Sequence, residues 1–355
     1  MRMKKEGYTQ EAVQLLRQLI ATPRVSRDEH AAADIMEKWM DNAGMSPRRE
    51  GNNVWAVAPD YDDSRPTLLL NAHIDTVKPV ATWTRDPHSP DIDGDRLYGI
   101  GSNDCGGGLT TLLIVFDRLR HTRQHYNLAY LASAEEEVSG ANGVSRALPL
   151  LPPIHLAVVG EPTGMQPAVA EKGLMVVDMV AHGKSGHAAR GEGVNAIYEM
   201  LDDLKWVRDY HFERVSDLLG PTLMSVTVLQ AGTQHNVVPD RCTAVIDVRT
   251  NEHYGNEEVF DIIRSHVHSE VKARSFRLRS SGIALDHPIV QRCLDMGMTP
   301  FGSPTLSDQA LMPFASLKLG PGQSARSHSA DEYILVNEMG DAFEKYVKIL
   351  DGLRL

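Results

Sequence analysis

The sequence predicts an α/β fold in two parts, a unit built on buried parallel strands interrupted by a smaller α+β insert of the ferredoxin-like type. Three observations carry this expectation. The runs Thr67-Leu68-Leu69-Leu70, Leu128-Ala129-Tyr130-Leu131-Ala132 and Ala157-Val158-Val159 are continuous rather than alternating, and each leads into a loop bearing a histidine or carboxylates. Strands of that kind are buried on both faces, and open α/β sheets place their ligands beyond the carboxyl ends of such strands. From Leu174 the pattern reads strand, helix, two strands, helix, strand, the order of a ferredoxin-like sandwich. Finally, 355 residues exceed what one hydrophobic core usually supports.

The elements follow in order. Val13, Leu16, Leu19 and Ile20 recur at helical spacing while Gln10, Glu11, Gln14 and Arg17 break the apolar run. An amphipathic first helix is therefore expected, and not a signal peptide, despite the basic start Met1-Arg2-Met3-Lys4-Lys5. The strand from Thr67 delivers His73 near its carboxyl end, and Asp75, two residues on, shares its face on an extended chain. A carboxylate there can accept the ring N–H that points away from a metal, which fixes the tautomer. Asp104 lies between Gly99-Ile100-Gly101 and Gly106-Gly107-Gly108, a loop whose small residues let backbone approach an ion closely. A phosphate loop would also be glycine-rich, but the Lys-Ser/Thr pair is missing and the spacing is not a dinucleotide fingerprint.

The second strand runs into Glu135-Glu136-Glu137, which in isolation would read as a solvated acidic loop. Leu148-Pro149-Leu150-Leu151-Pro152-Pro153 is a proline-marked connection to a strand at 154–159, after which Gly160 and Pro162 turn the chain around Glu161. The insert is expected to place strands at about 174–182, 222–229, 241–249 and 272–278, with helices at about 193–210 and 256–267. The segment from about 286 to 355 then returns to the first unit and delivers His328 beyond Leu317-Lys318-Leu319-Gly320. There is no internal repeat and no low-complexity linker.

In this order, five segments resemble the co-catalytic zinc amidohydrolases and peptidases of the M20 family, and within it the acetylornithine deacetylase and succinyl-diaminopimelate desuccinylase branch. They are Asn71-Ala72-His73-Ile74-Asp75, Ser102-Asn103-Asp104-Cys105-Gly106-Gly107-Gly108, Ala134-Glu135-Glu136-Glu137-Val138, Val159-Gly160-Glu161-Pro162-Thr163 and Gly320-Pro321-Gly322-Gln323-Ser324-Ala325-Arg326-Ser327-His328. The following Ser329-Ala330-Asp331-Glu332-Tyr333 is similar to the family's ending. The resemblance covers nearly the whole chain. It implies a mixed-sheet α/β/α catalytic domain over residues 1–173 and 284–355, with an inserted ferredoxin-like lid and dimerisation domain over 174–283.

It also implies two zinc ions per chain, replaceable by cobalt, held by His73, Asp104, Glu137, Glu161 and His328. Asp104 would bridge them and be followed by a cis peptide bond, with Cys105 a neighbour of the bridge and not a ligand. Val138 aligns the glutamates, making Glu136 the general base and acid, Glu137 a ligand, and Glu135 the replacement for an aspartate of the relatives. Asp75 orients His73. A glutamate at the position of Glu161 goes mostly with acyl-amino-acid hydrolases, whereas the aminopeptidases tend to use aspartate. The charges agree: three ligand carboxylates leave part of the charge of two zinc ions for a hydroxide, the species amide hydrolysis needs.

Within the insert, Gly183-Lys184-Ser185-Gly186-His187-Ala188-Ala189 resembles the segment whose histidine reaches a partner's active site and helps hold the oxyanion, although Arg190-Gly191 stands where many relatives have proline. Ala231-Gly232-Thr233-Gln234-His235-Asn236-Val237-Val238-Pro239 and Asp247-Val248-Arg249 match residues that meet the substrate carboxylate, which makes Asn236 and Arg249 the substrate-binding expectations. Arginine's planar fork grips a carboxylate with two parallel hydrogen bonds, a task lysine's point charge suits less well.

The implied reaction is hydrolysis of the amide of an N-acyl-amino acid, foremost N-acetylornithine to ornithine and acetate in arginine biosynthesis. A succinylated amino acid, such as succinyl-ornithine, succinyl-citrulline or succinyl-diaminopimelate, is the second reading. Thr305-Leu306-Ser307-Asp308 departs from the Gly-Thr-Ser-Asp of many desuccinylases and weighs against diaminopimelate. A catalytically silent metal-binding homologue would have lost a ligand or the base, and none is missing. The net charge of -11 argues against nucleic acid. Cys105, Cys242 and Cys293 cannot all pair and show no zinc-finger spacing, and no stretch is long and apolar enough to cross a membrane. A cytoplasmic enzyme acting on a small molecule is expected, without nucleic-acid or membrane partners. An open sheet edge on the insert would make it a homodimer.

Overall fold

Strands Thr67–His73 and Asn127–Ser133 are buried at all seven positions each, as strands covered on both faces must be. They pair in parallel, from Thr67 opposite Asn127 to His73 opposite Ser133. Leu156–Val159 runs parallel on the far side of Thr67–His73, and Ala315–Lys318 runs parallel to Leu156–Val159. Asn53–Val57 and then Arg48–Glu50 extend the other edge antiparallel, so the sheet is mixed. The structure is a computed structural model and describes residues 2–355.

Helices cover both faces of this sheet. Gly107–Leu119 packs on Thr67–His73 and Asn127–Ser133, flanked by Arg2–Ile20 and Val336–Leu350. The first helix buries Ala12, Val13, Leu15, Leu16, Leu19 and Ile20, the stripe its sequence periodicity marks. On the opposite face Trp55, Leu69, Ala129, Leu131, Ala157 and Val159 meet Val144, Ala147 and Leu151 in one apolar cluster. Close approach is visible at Gly108, where an added Cβ would lie 1.7 Å from the Gly160 carbonyl oxygen. The four parallel strands end at the same edge of the sheet, and the loops bearing His73, Glu136, Glu161 and His328 start there.

The chain divides into two compact units. The first comprises Met1–Val169, Gly282–Phe301 and Ser307–Leu355, and the second Ala170–Ser281 and Gly302–Leu306. In the second unit an antiparallel sheet runs in the order Leu223–Ala231, Arg241–Arg249, Met175–His182, Glu270–Ala273. With helices Ala196–Asp209 and Asn256–His266, this is the ferredoxin-like arrangement. Alternation builds its core: Met175, Val177, Met179 and Ala181 face Cys242, Ala244, Ile246 and Val248, with Met200, Val207, Val259 and Ile263 from the helices. The edge strand Leu223–Ala231 is exposed along nearly its whole length.

Two boundaries differ from the sequence reading. The first helix of this unit starts at Ala196 and not near 193, because Asn195 caps it by accepting a 3.0 Å hydrogen bond from the Ile197 amide. The last strand spans Glu270–Ala273 and not 272–278. Beyond it the Phe276 and Leu278 carbonyls accept the Asn256 side-chain amide, at 3.1 and 2.8 Å, and the Leu278 carbonyl also accepts the Leu174 amide at 3.0 Å, outside a regular ladder. Among the described residues no helix is long and apolar enough to cross a membrane.

Candidate metal centre

His73 closes its strand with a ring that is almost fully buried. Its Nδ1 lies 3.0 Å from the backbone oxygen of Asp75 and 3.5 Å from the Asp75 carboxylate. That leaves Nε2 facing three other carboxylates: Asp104 at 3.3 Å, Glu161 at 3.7 Å and Glu136 at 3.9 Å. Burial opposes charge on the imidazole, but Cys105, Asp104 and Asp75 beside it outweigh burial and hold the pKa well above the usual histidine value.

Asp75 does more than orient a histidine. Its two oxygens accept the backbone N–H groups of Glu136 and Glu137, at 3.1 and 3.2 Å, and the Ser26 hydroxyl at 2.6 Å. The glutamate turn is thereby aimed from below. Glu135 starts it in the left-handed region, with φ 54, and sends its carboxylate away to the Asn142 amide at 2.9 Å. Glu137 reaches His328 Nε2 at 2.9 Å, and Asp104 lies 3.5 Å from the same nitrogen.

The Asp104 turn stands at the start of helix Gly107–Leu119 with a cis bond between Asp104 and Cys105. The Cys105 thiol contacts the His73 carbonyl at 3.6 Å, and burial pushes its pKa up, which keeps it a neutral thiol. One ligand atom each from His73, Asp104 and Glu137 lie within 4.8 Å of one another, and His73, Cys105 and Glu161 form a second such group.

Uncompensated acidity is the main electrostatic feature. Burial, with the Asp104 charge adding, pushes Glu161 up to about 8, and burial likewise raises Glu136 well above the carboxylate range. The Glu137 hydrogen bond pushes His328 up to about 9. Glu161 Oε1 is buried with no hydrogen-bond partner among the described residues. An orphaned carboxylate oxygen, crowded acids and imidazole nitrogens together form an oxygen-and-nitrogen donor set that fits divalent metal.

Several residues here escaped the sequence reading. Arg24, fully buried, donates to the carbonyls of Ile74 at 2.6 Å and Gly101 at 2.8 Å, tying the His73 and Asp104 loops together. Glu29 accepts the Glu135 amide, and Asp308 accepts the hydroxyl of Ser133. Glu332 braces the Asp104 turn, and the Asn103 side chain holds the segment that leads to His328. None carries a periodic signal; Asn103, Asp308 and Glu332 stand in segments marked by their sequence, but nothing in those segments shows which residues they pair with.

The second unit holds the remaining expected residues. His187 pairs with Val237 in a two-residue ribbon, and the neighbouring Ala188 amide donates to the Asn236 carbonyl at 3.1 Å, so His187 and Asn236 belong together. Arg190-Gly191 is accommodated by a single turn that ends with Gly191 at φ 64. Arg249 closes its strand and holds Asp247 through Nε and Nη2 at 2.8 and 3.2 Å. It is not near the other two: the sheet separates Arg241 from Arg249 by eight residues, roughly 26 Å of strand.

The sequence matches the model of Peptidase family M20/M25/M40 over residues 69–352, most of its length. The chain belongs to this family. Among curated M20 relatives, an acetylornithine deacetylase of Proteus mirabilis is 28% identical, covering 91% of each chain. An acetylornithine deacetylase of Pectobacterium carotovorum is 27% identical over 91% of this chain and 92% of its own. The M20 fold is shared with solved structures. Aminopeptidase PepT of Bacillus cereus superposes with a TM-score of 0.77 at 17% identity, over 96% of this chain and 98% of its own. The YXEP protein of Bacillus subtilis, described as a dinuclear metal binding peptidase, superposes with a TM-score of 0.73 at 16% identity, over 97% and 98%. This M20 chain is a metallohydrolase, as the loop motifs implied.

Proposed function

We propose that this M20 enzyme is a two-zinc deacylase that cleaves the amide bond of N-acetylornithine, releasing ornithine and acetate. The observation that carries the reading is the convergence of His73, Glu137, Glu161 and His328 around Asp104, with Glu136 beside them. Asp104, Glu137 and His328 would hold one ion, and His73, Asp104 and Glu161 the other. When bound, the metal pair polarises the amide carbonyl and lowers the pKa of the attacking water. Glu136 takes the proton from that water and returns it to the leaving nitrogen, and its buried setting, which raises its proton affinity, suits a base. The relatives named acetylornithine deacetylase support the acetyl-ornithine assignment, as does glutamate at position 161. Such a role belongs to arginine biosynthesis in the cytoplasm.

Arg249 grips the substrate carboxylate, its fork held ready by Asp247. His187 and Asn236 belong to the ribbon beside the other end of Arg249's strand, too far to meet a substrate held by Arg249 in one chain. A second copy supplies them. The exposed edge strand Leu223–Ala231, with Leu223, Val226, Val228 and Leu229 open to solvent, supports pairing of two inserts edge to edge.

Side-by-side assays of acetyl-ornithine, succinyl-ornithine, acetyl-citrulline, succinyl-citrulline and succinyl-diaminopimelate test the substrate. Acetyl-ornithine is expected to give the highest kcat/KM, and a succinyl compound in first place would overturn the acyl assignment. Chelation should abolish hydrolysis, with zinc or cobalt restoring it. Full activity in thoroughly metal-free protein would remove the metal reading.

A further inference from the structure

We propose that Asn103 and Glu332 are positioning residues that assemble the Asp104 and His328 side of the metal centre before any ion binds, and that they act unequally on the two ion sites. Glu332 governs both sites through the shared Asp104. Asn103 governs only the site that His328 completes. The proposal rests on the ligand assignment given under the proposed function.

Acidic ligands repel one another, so bringing Asp104, Glu137 and Glu161 together without a cation needs anchors outside the ligand set. Glu332 is one. It is 2% exposed, yet its carboxylate turns to the backbone beneath Asp104 and accepts the amides of Gly101, Asn103 and Asp104, at 3.1, 2.8 and 2.9 Å. Each ties a backbone N–H of the turn to the same buried carboxylate. Together the three fix the turn that aims the bridging carboxylate.

Asn103 is the other anchor. Fully buried, it uses both ends of its amide on one segment: Oδ1 accepts the Gln323 amide at 3.0 Å, and Nδ2 donates to the Gln323 carbonyl at 3.0 Å and the Ser327 hydroxyl at 3.2 Å. Ser327 immediately precedes His328, which sits in the left-handed region at φ 56 with a half-exposed side chain. Gly322 lets the segment close on this amide, since an added Cβ would fall 2.3 Å from Asn103 Oδ1 and its φ is +86. One buried amide therefore joins two segments that bear different ligands.

The test measures zinc affinity of each site by competition with a chelator, together with amide hydrogen exchange in the metal-free protein. Asn103→Ala should weaken one ion by about 10–100-fold, the range for residues that orient metal ligands, and leave the other at its wild-type affinity. Exchange should rise over residues 323–328 without metal. Glu332→Gln, which sets an amide donor against a backbone N–H, should weaken both ions and raise exchange over residues 101–104. If Asn103→Ala does not yield folded protein, Gly322→Ala presses on the same contact and should give the same one-site loss. Wild-type affinity at both sites, or equal weakening of both by Asn103→Ala, would overturn the proposal. Wild-type protein that holds no ion would instead remove the ligand assignment itself.

Discussion

Glu136 and Glu137 are adjacent, are aimed by the same aspartate, and face different neighbours. Glu137 meets His328, while Glu136 lies against His73 with burial raising its proton affinity. The two should therefore fail differently. Glu136→Gln is expected to keep the metals and roughly the KM, while kcat falls by ~10²–10⁴, the range for a lost general base. Glu137→Gln is expected to lose metal affinity first, as read by metal content after dialysis. Exchanged phenotypes would shift the register of the glutamate triplet by one residue. Sequence reading reached that register through Val138; in the structure Glu135 turns its carboxylate to the Asn142 amide. It did not reach the second task of Asp75, because the bonds from Asp75 to the glutamate amides span 61 and 62 residues of chain.

Helix Gly107–Leu119 carries Asp104 at its start and is buried on the sheet at nearly every position. Its approach depends on Gly108, which meets the backbone of Gly160, the residue before Glu161. Gly108→Ala would place a Cβ 1.7 Å from a carbonyl oxygen that has no rotamer with which to escape. The helix must then move outward, at a cost of about 1–3 kcal/mol or more for overpacking of this kind. A lower urea midpoint together with weaker zinc binding is the expected pair of readouts. An unchanged midpoint would show that the helix start is looser than this contact indicates. The glycines were visible in the sequence as a loop that lets backbone come close; what came close was another strand's turn.

At the scale of the whole molecule, the separation of Arg249 from His187 and Asn236 within one insert makes a shared active site testable. His187→Ala should lower kcat by roughly 10²–10³, as loss of one oxyanion donor does, with zinc content unchanged. Mixing His187→Ala with Glu136→Gln under conditions of subunit exchange should restore activity toward about a quarter of wild type. Half of randomly formed dimers are mixed, and each has one intact site of two. No recovery despite demonstrated exchange would place His187 within its own chain's chemistry or outside the chemistry altogether.

The sequence by itself determined the fold class, the buried parallel strands, the order of elements in the insert and which histidines and carboxylates converge at the candidate metal centre. These depend on local signals: apolar runs, turn residues, and histidine or carboxylates just past strand ends. Tertiary structure decided how that centre is braced. Arg24 spans 77 residues to Gly101, Asn103 spans 220 to Gln323, and Glu332 spans 229 to Asn103. A buried polar side chain acquires its partner from whichever segments packing brings beside it, and spacing along the chain carries no record of that. The same holds at the end of the insert, where the Asn256 side chain, some twenty residues away along the chain, donates to the Phe276 and Leu278 carbonyls just past the last strand.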